Sequence, residues 1–202
     1  MNQIEETYLD MANTYKEQGN YEKALIWYKK IKDNADVYEL IGECLYKGKG
    51  CGKNVDEAKE YFKKAADMNN TDAMCNLALC LDDLDEKLYW YKKAADSGLA
   101  YAMNMVGIIL EDINDAISEE SIEWYKKAAD AGSDIGCYNY AMNVTNDDDK
   151  IAYIKKAAEK ELLIAMKEYA EYLTIGLHCG KDIEKANELK LKIRRVKTAI
   201  DN

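Results

Sequence analysis

Apolar and polar positions along this chain follow the period of a helix, and one phrase returns at regular distances. It reads YEKALIWYKKIKD from Tyr21, VDEAKEYFKKAAD from Val55, DEKLYWYKKAAD from Asp85, SIEWYKKAAD from Ser121 and KIAYIKKAAE from Lys150. A weaker sixth copy, DIEKANELKLKI from Asp182, keeps the Lys-Ala step but carries Leu189 and Lys190 in place of the aromatic pair, as a terminal cap would. Between the phrases lie segments with apolar residues at helical spacing, such as Tyr38, Ile41 and Leu45, or Met103, Val106 and Leu110. Each repeat is therefore expected to be a couple of antiparallel helices, the spaced segment first and the phrase second. The couples fall near 3–33, 36–67, 71–96, 99–131, 134–160 and 163–200, a single repeat domain over 1–202.

Counted on the second aromatic position (Tyr28, Phe62, Tyr91, Tyr125, then Ile154), the steps are 34, 29, 34 and 29 residues, so that two steps always make 63. The alternation predicts a shorter internal connection in every second couple: tight from Leu81 to Asp85, long from Tyr46 to Val55. Asp36, Asn54, Thr71, Asp134 and Asp149 stand where helices should begin, and Gly98 and Gly132 follow the AAD endings as terminating residues. Small residues at Ala12, Gly42, Ala78, Gly107, Ala141 and Ala170 let the two helices of a couple approach closely.

Composition sharpens this picture. The 202 residues include no proline, and 48% are hydrophobic, which suits a folded all-α chain with a sizeable core. A formal charge of −10 disfavours nucleic acid and anionic membranes as partners. No apolar run approaches a spanning length and Met1 to Asp10 lacks the features of a secretion signal, so a cytoplasmic chain with no membrane insertion is the expectation; export without such a signal stays open. Cys44, Cys51, Cys75, Cys80, Cys137 and Cys179 are scattered and lack a CxxC, which favours free thiols over disulfides or a metal site.

The first couple resembles the tetratricopeptide consensus, with Tyr8, Met11, Ala12 and Tyr15 in the first helix and Gly19, Tyr21, Ala24 and Tyr28 in the turn and second helix. The later couples resemble the Sel-one-like repeat, whose pattern is carried by Ile41, Gly42, Gly48, Gly50, Ala58, Tyr61, Phe62, Lys64, Ala65 and Ala66. A second glycine loop of that kind runs from Ile175 to Ala186, with Gly176 and Gly180; couples three and five lack the loop, and couple four has EDINDAISEES in its place. A disulfide-rich branch of the family carries cysteines where this chain has Ala65-Ala66 and Ala94-Ala95, in keeping with reduced thiols.

The resemblance implies an all-α, right-handed superhelical solenoid of about six couples whose first helices line a concave groove. By analogy with tetratricopeptide positions, the groove-facing set is Asn13, Lys16, Glu39, Glu43, Tyr46, Cys75, Leu79, Asn104, Ile108, Tyr138, Met142, Lys167 and Glu171. Leu79, Ile108 and Met142 share one repeat position that is polar in the outer couples (Asn13, Glu43, Glu171). They read either as an apolar floor for a bound helix or extended peptide, or as packing between neighbouring first helices.

No catalytic constellation emerges. The lone His178 has no evident partner, the clusters Asp82, Asp83, Asp85 and Asp147 to Asp149 lack calcium-loop spacing, and GKGCG at Gly48 follows a helix where a phosphate loop follows a strand. The Lys-Lys pairs of the second helices read as a solvated face. The expectation is a non-enzymatic scaffold or adaptor for a protein or peptide, with no cofactor and no metal. The alternatives are a regulatory subunit of a partner enzyme or secretion system, or self-assembly in which the basic stretch Lys190, Lys192, Arg194, Arg195 and Lys197 enters the acidic groove of a second copy.

Overall fold

A computed structural model of the protein describes residues 2–177 and 179–200. Among these residues it contains twelve α-helices and no strand. They fall in two compact units, Met1–Ser97 and Gly98–Asn202. The first holds α1 (Gln3–Glu17), α2 (Tyr21–Tyr28), α3 (Ala35–Lys47), α4 (Val55–Asp67), α5 (Thr71–Cys80) and α6 (Leu84–Asp96). The second holds α7 (Ala100–Asn114), α8 (Glu119–Asp130), α9 (Asp134–Asn143), α10 (Asp147–Glu159), α11 (Leu163–Ile175) and α12 (Ile183–Ile200). Within each unit consecutive helices pack on one another, as the couples anticipated.

The repeated phrase explains this packing. Its second aromatic (Tyr28, Phe62, Tyr91, Tyr125) and Ile154 are each at most 1% exposed and fill the centre of a couple. Its paired alanines, such as Ala65-Ala66 and Ala157-Ala158, are buried too, and their short side chains let the next first helix start close to the backbone. Gly42 and Gly107 serve the same purpose: their Cα atoms lie against the rings of Phe62 and Tyr125. The first aromatic of the phrase stacks under the second lysine of the Lys-Lys pair. Lys30 lies 3.8 Å from the ring centre of Trp27, Lys64 4.9 Å from Tyr61, Lys93 5.0 Å from Trp90, Lys127 4.0 Å from Trp124 and Lys156 4.1 Å from Tyr153. These lysines therefore lid their own aromatics.

The corners between couples are built from the helix ends themselves. After α8, Ser133 N–H donates to Ala128 O at 2.9 Å and Gly132 N–H to Ala129 O at 3.1 Å, and after α4 Asn70 and Asn69 bond Ala65 and Ala66 in the same way. The corner residue is left-handed at Asn69 (φ +64°), Gly132 (φ +93°) and Glu161 (φ +67°). At the first two of these corners the next residue caps the following helix: Asn70 accepts from Ala73 N–H and Ser133 from Gly136 N–H, whereas Leu162 after Glu161 makes no side-chain cap. The caps accordingly stand slightly earlier than the sequence suggested. Asn34, Asn70, Ser133 and Asn146 are the capping residues, while Asp36, Thr71, Asp134 and Asp149 sit inside the first turn.

The alternation of 34 and 29 residues has a second source that the sequence did not reveal. The connections at 81–83 and 144–146 are tight, but the first helices α5 and α9 are also short, ten residues each against thirteen in α3 and fifteen in α7.

Candidate interaction surfaces on the first helices

Within the first unit α3 touches α5, and within the second α7 touches α9, whereas the second helices of neighbouring couples come no closer than weak contact. At these joints first helices lie side by side, as the wall of the expected groove requires.

In the first unit this wall is charged. Asn13 accepts from the Tyr28 hydroxyl at 2.8 Å, Glu43 pairs with Lys47 one turn on, and Glu39 accepts from the Asn76 amide at 3.0 Å. Burial, reinforced by the neighbouring Glu43 and Asp72 and opposed by Lys16 and Lys47, pushes the Glu39 carboxyl up to about 7. Glu43 moves the other way because Lys47 donates to it. Tyr46 is half-buried beside Phe62, with ring centres 6.4 Å apart, and Leu79 is 48% exposed.

In the second unit the wall is less polar. Asn139 donates its amide to Asn104 at 2.9 Å. Ile108, Tyr138 and Met142 are half-buried and pack on the core cluster, while Lys167 and Glu171 are exposed. Burial and a hydrogen bond to Glu168 raise Tyr172 to about 12, and burial with the same carboxylate raises Tyr138.

Two of the expected groove residues occupy a different place. Cys75 and Asn104 are 5% and 4% exposed, so they belong to the packed wall and offer no face to a guest. At Asn104 the reason is a joint between first helices: Asn139 of the next couple lays its amide on it, as Asn76 does on Glu39. Asn76 and Asn139 were not picked out from the sequence. Their signal was an Asn two places before the small residue in both CNLA and YNYA. Ile108 and Met142 are neither open nor fully covered, which leaves Leu79 as the exposed apolar residue of the expected floor.

The six cysteines are free, burial pushes the Cys75 thiol up to about 12, and no metal-holding cluster occurs among the described residues. His178 lies outside the described residues. No described helix is long and apolar enough to cross a membrane.

A family model for the Sel1 repeat matches residues 15–36, 35–70, 88–99, 118–133 and 163–189, together more than half of the chain. The chain belongs to the Sel1 repeat family. Sel1 repeats generally act as protein–protein interaction scaffolds. The Sel1 repeat fold is shared with a Sel1 repeat protein from Oxalobacter formigenes, 23% identical, with a TM-score of 0.82 over 93% of this chain and 84% of that one. It is shared equally with c5321, a protective antigen of uropathogenic Escherichia coli described as having an SLR fold, at 21% identity and a TM-score of 0.82 over 95% of this chain, which spans 46% of that protein. MamA is a more distant relation of the Sel1 fold seen here, at 21% identity and a TM-score of 0.58 over 80% of this chain and 93% of that one. No curated protein matches the sequence.

Proposed function

We propose that this Sel1 repeat protein is a non-catalytic adaptor that holds a peptide or helix of a partner protein against its first helices. The observation that carries this reading is Leu79, which stays 48% exposed on a wall where Glu39 is tied to Asn76 and Glu43 to Lys47. A lone exposed leucine is ordinary. A leucine in a wall of fixed polar groups offers an apolar anchor with oriented donors and acceptors beside it, which is the composition of a peptide-binding surface. Lys16, Glu43, Tyr46, Lys167 and Glu171 supply the polar contacts of the two walls, with Ile108, Tyr138 and Met142 as the half-buried apolar ones. The cytoplasm is the compartment this reading assumes.

The test is capture from native lysate by immobilised protein, wild type against Leu79→Glu. Because Leu79 is exposed, the substitution should leave the unfolding free energy in urea within about 0.5 kcal/mol of wild type while partner recovery drops at least several-fold. Unchanged recovery by a folded Leu79→Glu variant would reject the wall as the binding face.

A further inference from the structure

An open cleft of about 490 Å³ lies on α5 and α6 of the first unit with Lys63 of α4 beside it, and none of its lining residues belongs to the proposed binding wall. Leu77, Leu81, Tyr89 and Trp90 form its apolar surface, and Lys63 and Glu86 stand at its rim. The double repeat explains why it is there. Residues 63 positions further on occupy the same places in the second unit: Lys126 for Lys63, Tyr140 for Leu77, Asp149 for Glu86 and Tyr153 for Trp90.

In the second unit Tyr140 stands at the place that matches Leu77. Its ring stands edge-on to Tyr153 with centres 4.7 Å apart, Lys126 lies 5.7 Å from its ring centre, and its hydroxyl donates to Asp149 at 3.2 Å. Leu77 cannot supply either the ring or the hydroxyl. In the first unit Lys63 instead lies 4.6 Å from the ring centre of Trp90, and the exposed Tyr89 leans edge-on against Trp90 at 5.0 Å without filling the space. The acceptor is kept at the matching place: Glu86, like Asp149, is the third residue of its helix, held there by the capping residue Asp83 as Asn146 holds Asp149.

We propose that the α5–α6 cleft is a docking site for a tyrosine side chain of a partner protein, which inserts its ring against Trp90 and donates its hydroxyl to Glu86. The chain itself displays the occupied form of the site at Tyr140. The apolar lining accepts the ring, Lys63 covers its face, and the carboxylate selects a phenol over a plain benzyl group.

The experiment follows the Trp90 indole N–H signal by NMR while a blocked Ala-Tyr-Ala peptide, or its Ala-Phe-Ala counterpart, is added to the full chain. The tyrosine peptide should shift the signal saturably and bind about tenfold more tightly than the phenylalanine peptide, the size of one hydrogen bond to a charged acceptor. Leu77→Tyr should fill the cleft from inside and abolish the shift. Glu86→Gln, on an exposed side chain whose replacement leaves folding intact, should narrow the preference to about threefold, because the amide oxygen still accepts the hydroxyl but without the charge. Absence of a saturable shift, equal binding of both peptides to wild type, or undiminished discrimination in Glu86→Gln would each overturn the assignment, whether or not Leu77→Tyr folds.

Discussion

Replacing Gly42 by alanine sets two known effects against each other. In the middle of α3, alanine is favoured over glycine by about 1 kcal/mol through backbone entropy. The added Cβ, however, would lie 2.6 Å from both Cδ1 and Cε1 of Phe62, where carbon atoms rest at about 3.5 Å or more, so about 1 Å must be found. Phe62 is 1% exposed and enclosed by the couple, so its ring has nowhere to retreat. Overpacking of this kind costs about 1–3 kcal/mol, and two ring atoms struck at once place it in the upper part of that range. The net expectation is a loss of about 1–2 kcal/mol. Urea unfolding followed by far-UV circular dichroism measures it, with Gly52→Ala as the control because a Cβ there meets nothing within 4 Å. The double variant Gly42→Ala/Phe62→Leu should lose less than the two single variants together by about 1 kcal/mol or more, since the smaller side chain makes room for the new methyl. A Gly42→Ala protein as stable as wild type, or strict additivity in the double variant, would refute the reasoning.

Other positions give independent checks. Glu161→Gly should raise the unfolding free energy measured in urea by about 0.5 kcal/mol, because relief of the left-handed strain outweighs the loss of the exposed pair with Lys192. Asn139→Ala strips the buried Asn104 oxygen of its donor and should cost about 1–3 kcal/mol in the same assay. Glu39 has its carboxyl raised to about 7, so between the usual carboxylate range and about 7 the folded chain keeps a proton that the unfolded chain has released. Stability contributed by that proton is lost as pH rises through this window. Glu39→Gln, which retains an oxygen for Asn76, should therefore gain on wild type between pH 4 and pH 8; a pH-independent difference would rule out Glu39 as the titrating group.

The helix couples were legible in the sequence because the same physics recurs five times: a large apolar residue for the centre, aromatic in four copies, and a pair of alanines for the close approach in the last four. The positions of the caps were less so. Acidic first-turn residues and true caps both suit the helix N-terminus, and only the left-handed corner just before it shows that Asn70 and Ser133 are the residues outside the helix. Shortening of α5 and α9 was hidden because a step length counts residues without saying which element lost them. The inner wall was partly legible. Periodicity places Glu39, Cys75 and Asn104 on the right side of their helices, but whether a side chain is open depends on what the next helix lays over it, and Asn139 over Asn104 is a pairwise fact with no local signature. The α5–α6 cleft was invisible for a related reason: Leu77 is unremarked apolar helix until Tyr140 is seen filling the matching space.

The ten-residue first helices bear on how such a chain can lengthen or shrink. Duplicating or removing a stretch of 63 residues, cut at the one-residue corners, puts a ten-residue first helix where a ten-residue one stood and a longer one where a longer one stood. An edit of 34 or 29 residues instead sets a ten-residue rod where one of thirteen or fifteen is expected, a shortfall of about 5 to 8 Å along the helix axis. The module that can be inherited or engineered without repair is therefore the double couple, and each copy would carry one socket, vacant where its sequence has the leucine of Leu77 and filled where it has the tyrosine of Tyr140.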